Sequence, residues 1–143
     1  MKKTKFKFII AAVLVMAFFA AAASYGMNGD KDEKHPTEKQ ANSLVMGIKS
    51  SNEGVSQSSI YYAGQYRIVQ SVEVLINILN DPQRDNYTRT LAALSLGRIG
   101  DPKGIKAIKE IAEGDKDAKL KTVSNIIYKE YNDFNDFQLS AGK

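Results

Sequence analysis

VEVLINILNDPQRDNYTRTLAALSLGRIGDPKGIKAIKEIA, residues 72–112, decides the fold. Val72, Leu75, Ile76 and Leu79 recur at i, i+3, i+4 and i+7, one apolar stripe on a helix. A polar turn, residues 80–86, follows, and then a second helix over about 86–98. Gly97 closes that helix on this reading, and Ile99 returns to the core. Gly100-Asp101-Pro102 makes the next turn, where Asp101 can cap a helix and Pro102 fits its first turn. Ile105, Ile108, Ile111 and Ala112 then restart the helical spacing.

The same grammar extends both ways. Ala41, Leu44, Val45 and Ile48 form an earlier stripe, followed by the turn at 50–54 and a second helix over about 55–66. Downstream, the turn at 113–117 leads to a helix over about 117–131. Gly64-Gln65-Tyr66 lies over Gly97-Arg98-Ile99 at a shift of 33. Leu91, Leu94 and Ser95 lie over Val123, Ile126 and Ile127 at a shift of 32. Helix pairs at such a period predict an all-α fold, an α-solenoid of about three units that stack because none buries its stripe alone.

Residues 72–112 resemble the short bacterial HEAT repeat, also called the phycobilisome-lyase-type HEAT-like repeat. "LINILNDP", "LAALSLGRIGDP" and the Ile-rich helix after them carry the match. The third unit has Tyr128-Lys129 where the family has Leu-Gly, and the first lacks Asp-Pro in its turn. The resemblance covers about 39–131, as units 39–68, 69–101 and 102–131. It implies a right-handed stack of helix pairs that recognises protein partners, with the second helices lining the concave face. Some relatives bind or attach bilin pigments. An accessory or ligand-binding subunit of an envelope enzyme or pigment system is therefore the alternative to a scaffold.

Family spacing places Thr88, Leu91, Ala92, Ser95, Leu96 and Ile99 in the core of the second unit. It places Leu120, Val123, Ser124, Ile127, Tyr128 and Tyr131 in the core of the third. One usually exposed position holds Tyr61, Leu94 and Ile126, an apolar ladder down the groove. Gln57, Thr90 and Thr122 flank it, as do Ser56, Arg89 and Lys121. Either the ladder receives an apolar peptide or partner helix, or slightly shifted packing makes it core between the units. Tyr61, Tyr62 and Tyr66 add aromatic surface of the kind enriched at interfaces. Tyr131, Phe134 and Phe137 in the tail, residues 132–143 with Tyr131 before them, would form one helical edge able to cover the open end of the array, or a short acidic-aromatic docking motif.

The other end of the chain is a targeting segment. Lys2, Lys3, Lys5 and Lys7 precede an apolar run at 8–23 that closes on four alanines. This is the order of a bacterial signal peptide cut after about Ala23. The run is shorter than the roughly 18–20 residues that span a bilayer, so the expectation is a periplasmic or secreted protein with no stable membrane insertion after cleavage. An uncleaved anchor is the alternative. Residues 24–38 hold little to bury and read as a disordered linker.

Composition narrows the chemistry. The chain has 143 residues, 20 Lys+Arg, 16 Asp+Glu, one His and no Cys. Removing the four N-terminal lysines leaves equal charge of each sign, so nothing suggests nucleic acid, which requires clustered cations. Absence of Cys excludes disulfides, thiolate metal sites and lipidation at a Cys. His35 lies in the linker, where a metal geometry would be hard to hold. There is no nucleophile elbow, phosphate loop or HExxH motif. Asp115 and Asp117, like Asp133 and Asp136, sit in a turn or tail where carboxylates stay solvated. Asp115-Lys116-Asp117 lacks the Gly and distal Glu of a calcium loop and reads as a helix cap. The expectation is no catalytic residue and no cofactor.

Overall fold

A computed structural model describes residues 35–141. The signal peptide assigned to 1–23 and the linker up to 34 lie outside the described residues. Within them the chain is all helical, with no strand: α1 Glu38–Ile48, α2 Glu53–Gln65, a 3-10 turn Val69–Ser71, α3 Val72–Asn80, α4 Asn86–Ile99, α5 Pro102–Gly114 and α6 Ala118–Ala141. They form three pairs in sequence, α1 with α2, α3 with α4 and α5 with α6. Successive second helices pack side by side, α2 on α4 and α4 on α6, more closely than the first helices do.

Each start is fastened by chemistry visible in the sequence. Thr37 and Gln40 form a reciprocal capping box, the Thr37 N–H donating to Gln40 Oε1 at 2.8 Å. Helical order thus reaches into the last residues assigned to the linker. Asn52 and Asp85 cap α2 and α4, and Asp101 caps α5 with Pro102 in the first turn. The Leu120 N–H donates to Asp117 Oδ1 at 2.7 Å, so the 115–117 acids serve the start of α6.

The ends differ from expectation. Gly97 does not close α4; the helix continues to Ile99, and Gly100 terminates it in the left-handed region at φ 73°. Gly97 is small for another reason: a Cβ there would lie 2.5 Å from Ile127 Cγ2 on α6. Gly64 is its counterpart on α2, where a Cβ would lie 2.7 Å from the Ser95 Cα on α4. The two glycines let neighbouring second helices approach closely.

The stripes become one core. Ile48, Ile60, Leu75, Leu79, Leu96, Ile108 and Leu120 are fully buried, each contributing about 1.5–3 kcal/mol by burial. The expected core of the later units divides by depth. Thr88, Ala92, Ser95, Leu96, Leu120, Ser124 and Ile127 are buried, whereas Leu91, Ile99, Val123, Tyr128 and Tyr131 are half-buried against them. The Ser124 hydroxyl is buried without a hydrogen-bond partner.

The expected cover of the open end is absent. α6 does continue helically past Tyr131, but Phe134 and Phe137 are 60% and 67% exposed. Between α5 and α6 an open cleft of about 260 Å³ remains, lined by Ile105, Lys109, Tyr128 and Tyr131 among others.

Candidate protein-binding surface

The matched ladder positions fall on the three second helices, with graded exposure. Tyr61 on α2 is exposed, and Leu94 on α4 is half-buried and packed against the core. Ile126 on α6 is half-buried. The ladder is neither a fully open strip nor closed core.

Polar ladders run between the same helices. Gln57 Nε2 donates to Thr88 Oγ1 at 3.0 Å, and the Ser95 hydroxyl donates to the Ile60 carbonyl at 2.9 Å. Asn86 Nδ2 donates to Asp117 Oδ2 at 2.7 Å. Thr90 and Thr122 turn their hydroxyls back onto the carbonyls of Asn86 and Ala118 in their own helices.

Arg89, expected on an exposed flank, is buried at 6% exposure. Its Nε donates to the Leu79 carbonyl at 2.8 Å, and its guanidinium is paired with Asp115. A buried charge must be matched, and here an unsatisfied carbonyl at the end of α3 and a carboxylate from the next pair match it. Burial alone would raise the Asp115 pKa. The Arg89 hydrogen bond and charge, the Asp117 N–H and the Lys121 charge outweigh burial and lower it. Arg89 is therefore a fastening between pairs and not part of a binding surface. Ser56 fills the matching position in the first pair, donating to the Ile48 carbonyl at 2.8 Å. Lys121, the third member, is half-buried.

A cluster of exposed aromatic side chains lies at the C-terminal end of α2. Tyr61 and Tyr62 meet edge to face with centroids 5.3 Å apart, and Tyr62 stacks on Tyr66 at 6.1 Å. Arg98, from α4, lies 5.7 Å above the Tyr61 ring and donates to Gln65 Oε1 at 3.1 Å. All three tyrosines are exposed, at 40%, 46% and 45%. Arg98 was missed by sequence reasoning. The shift of 33 that aligns it with Gln65 was the available signal, because matching positions on adjacent second helices become neighbours.

Among the described residues no three His, Asp or Glu side chains come together as a metal site, and no helix is long and apolar enough to cross a membrane. The family described as HEAT repeats matches residues 41–126, and the chain belongs to it. No curated protein matches the chain. HEAT repeats commonly mediate protein–protein interaction or scaffolding.

Proposed function

We propose that the chain is an exported, non-catalytic α-solenoid of the short bacterial HEAT type that binds another protein in the cell envelope. Close packing of α2, α4 and α6 relative to the first helices supports a curved stack with those helices on its inner face. Export rests on the basic, apolar and small-residue order of residues 1–23. The observation that carries the binding reading is the half-open ladder Tyr61, Leu94 and Ile126, repeated at matching positions on three adjacent helices. Tyr62 and Lys121 extend it as contact residues.

Leu94→Asp tests the reading. The side chain is half-buried, so the change should cost about 1–2 kcal/mol, short of the full penalty for a buried carboxylate. It should reduce partner capture from envelope extract by tenfold or more. A variant that melts within a few degrees of the parent and captures the same proteins would remove the ladder from the binding site. Intact mass of the protein from the producing cell reads cleavage near Ala23 at the same time; a chain still starting at Met1 would end the cleaved-export reading.

A further inference from the structure

α6 carries a second helix start inside it. The shift of 32 that lays Leu91 and Leu94 over Val123 and Ile126 also lays Gly100, Asp101 and Pro102 over Asn132, Asp133 and Phe134. In the second pair those three residues reverse the chain: Gly100 takes the left-handed conformation, Asp101 caps α5 and Pro102 opens it. After Gly, Asn is the residue that best tolerates the left-handed region at a helix end. Asp133 is a favoured N-cap residue. Asp136 would then be the third helical residue, where an acid meets the positive end of the helix. Inside a continuous helix Asn and Asp are poor choices, because their side chains compete for the backbone. α6 nevertheless runs through all three to Ala141.

The seat for a reversed segment is also present. α5 lies on the second pair with Gly104 against Leu96, where a Cβ would be 2.9 Å from Leu96 Cδ2, and with Lys103 Nζ 2.8 Å from Glu73 Oε1. The counterparts of Leu96 and Glu73 in the third pair are Tyr128 and Lys106, and both line the open cleft between α5 and α6. That cleft is the place where the third pair would receive a helix as the second receives α5. A segment reversed at Asn132 would set Phe137 and Leu139 at the positions of Ile105 and Ala107, each 5% exposed on α5. On the straight helix Phe137 and Leu139 stand in solvent. Asp136 would take the Gly104 position over Tyr128, where Lys109 Nζ lies 5.8 Å from the ring centroid.

We propose that residues 133–141 form a strap with two arrangements: the straight end of α6, and a short helix folded back at Asn132 into the cleft of its own chain. The straight arrangement keeps the backbone hydrogen bonds across Asn132 and leaves the apolar side chains in water. The folded-back arrangement gives up those bonds and buries Phe137 and Leu139. A segment this short has little helical stability of its own, so the two stay close in free energy. The tether decides the occupant. Asn132 itself lines the cleft, which holds the strap at its mouth at an effective concentration on the order of millimolar. Closed, the strap covers the open end of the array. Open, it leaves the cleft free for another helix, so strap and incoming helix compete for one seat. The inference depends neither on the ladder nor on export.

The chain has no cysteine, so a pair introduced as Gln138→Cys with Glu110→Cys reports closure without background. The counterparts of these positions in the second pair are Lys106 and Asn77, on the adjacent helices α5 and α3. α5 runs from Pro102, beside Tyr131 and Asn132, back to Lys109 over Tyr128. On the straight helix Gln138 therefore lies about 9 Å beyond Asn132 and Glu110 about 12 Å the other way, too far for a disulfide, which needs Cα atoms within roughly 7 Å. Mild oxidation of the purified full chain should close the pair within one molecule, read by intact mass of the monomer. Adding Asn132→Ala, which favours helix and resists left-handed backbone, should slow closure tenfold or more, and Asn132→Gly should speed it severalfold. Phe137→Asp should slow it as much as Asn132→Ala. The helical spectrum should be unchanged by Asn132→Ala, so slow closure there does not come from unfolding. A pair that never closes, or closes only between chains, overturns the proposal. Closure at equal rates in Asn132→Ala and Asn132→Gly overturns it too, and so does undiminished closure in Phe137→Asp, which would mark fraying of the helix end without seating in the cleft.

Discussion

The first and second helix pairs solve the same two problems with different residues. At the position that ties the second helix to the end of the first, pair one uses Ser56 and pair two uses Arg89. Both donate to a carbonyl at the end of the preceding helix, but only arginine reaches on to Asp115 in the next pair. At the left-handed residue that ends the second helix, pair two has Gly100 at φ 73° and pair one has Arg67 at φ 51°. Arg67 closes a Schellman-type end, with the Ile68 N–H donating to the Ala63 carbonyl at 2.9 Å. Pair two is thus the well-fastened unit. Pair one holds the same geometry with a non-glycine residue at the left-handed position.

The largest test of this contrast is Arg89→Ala. It strands the Leu79 carbonyl and the Asp115 carboxylate, and should cost about 3–5 kcal/mol, the range for breaking a buried ion pair from one side. Ser56→Ala should cost about 1 kcal/mol, a single neutral hydrogen bond. Denaturant midpoints at constant slope measure both; equal losses would show that Arg89 acts no further than its own pair. Because the Asp115 pKa is lowered in the fold, the pair contributes above the ordinary aspartate range. That contribution is lost as pH falls through the lowered value, so the parent and Arg89→Ala should converge in strong acid.

Next come the close approaches. Gly64→Ala would drive a Cβ into backbone at Ser95, whereas Gly97→Ala meets one methyl of Ile127 that can turn aside. Both fall in the ~1–3 kcal/mol range for overpacking, with Gly64→Ala the costlier and Gly97→Val near the top of it. Thermal melts giving the opposite order would mean that α2 and α4 can separate more easily than α4 and α6.

The smallest effect carries the opposite sign. Arg67→Gly should stabilise by up to about 1 kcal/mol, because removing the side chain relieves a left-handed conformation that costs a non-glycine residue about 1–2 kcal/mol and gives back part of that as chain entropy. The reciprocal Gly100→Arg should destabilise. A melting temperature for Arg67→Gly below that of the parent would show that the Arg67 side chain makes contacts worth more than the strain.

Most of the fold was legible because it is local. The stripes at 41–48, 72–79 and 105–112, the Asp101-Pro102 start and the Asp117 cap are short-range patterns with one physical reading each. The Thr37-x-x-Gln40 capping box is an equally local pattern, set inside a polar stretch. What the sequence hid depends on distant partners. Arg89 looks like a solvated cation until Asp115, 26 residues on, is brought beside it. Gly97 is a glycine because of Ile127 on another helix, so its spacing alone suggested a helix end. Tyr61, Leu94 and Ile126 fall on the three second helices, but their differing exposure depends on the rotation of each helix about its axis, which periodicity does not resolve.

In α6 the turn residue is withheld. The position that matches Gly100 at the shift of 32 is Asn132, and the chain passes through it as unbroken helix beside the open cleft. The copy number of such an array is then written into one turn. Converting Asn132 to glycine and splicing a duplicate of residues 69–101 after it would give the chain a place to reverse and a stripe to lay into that cleft. The cleft beside Asn132 is in this sense a place where one more helix could dock.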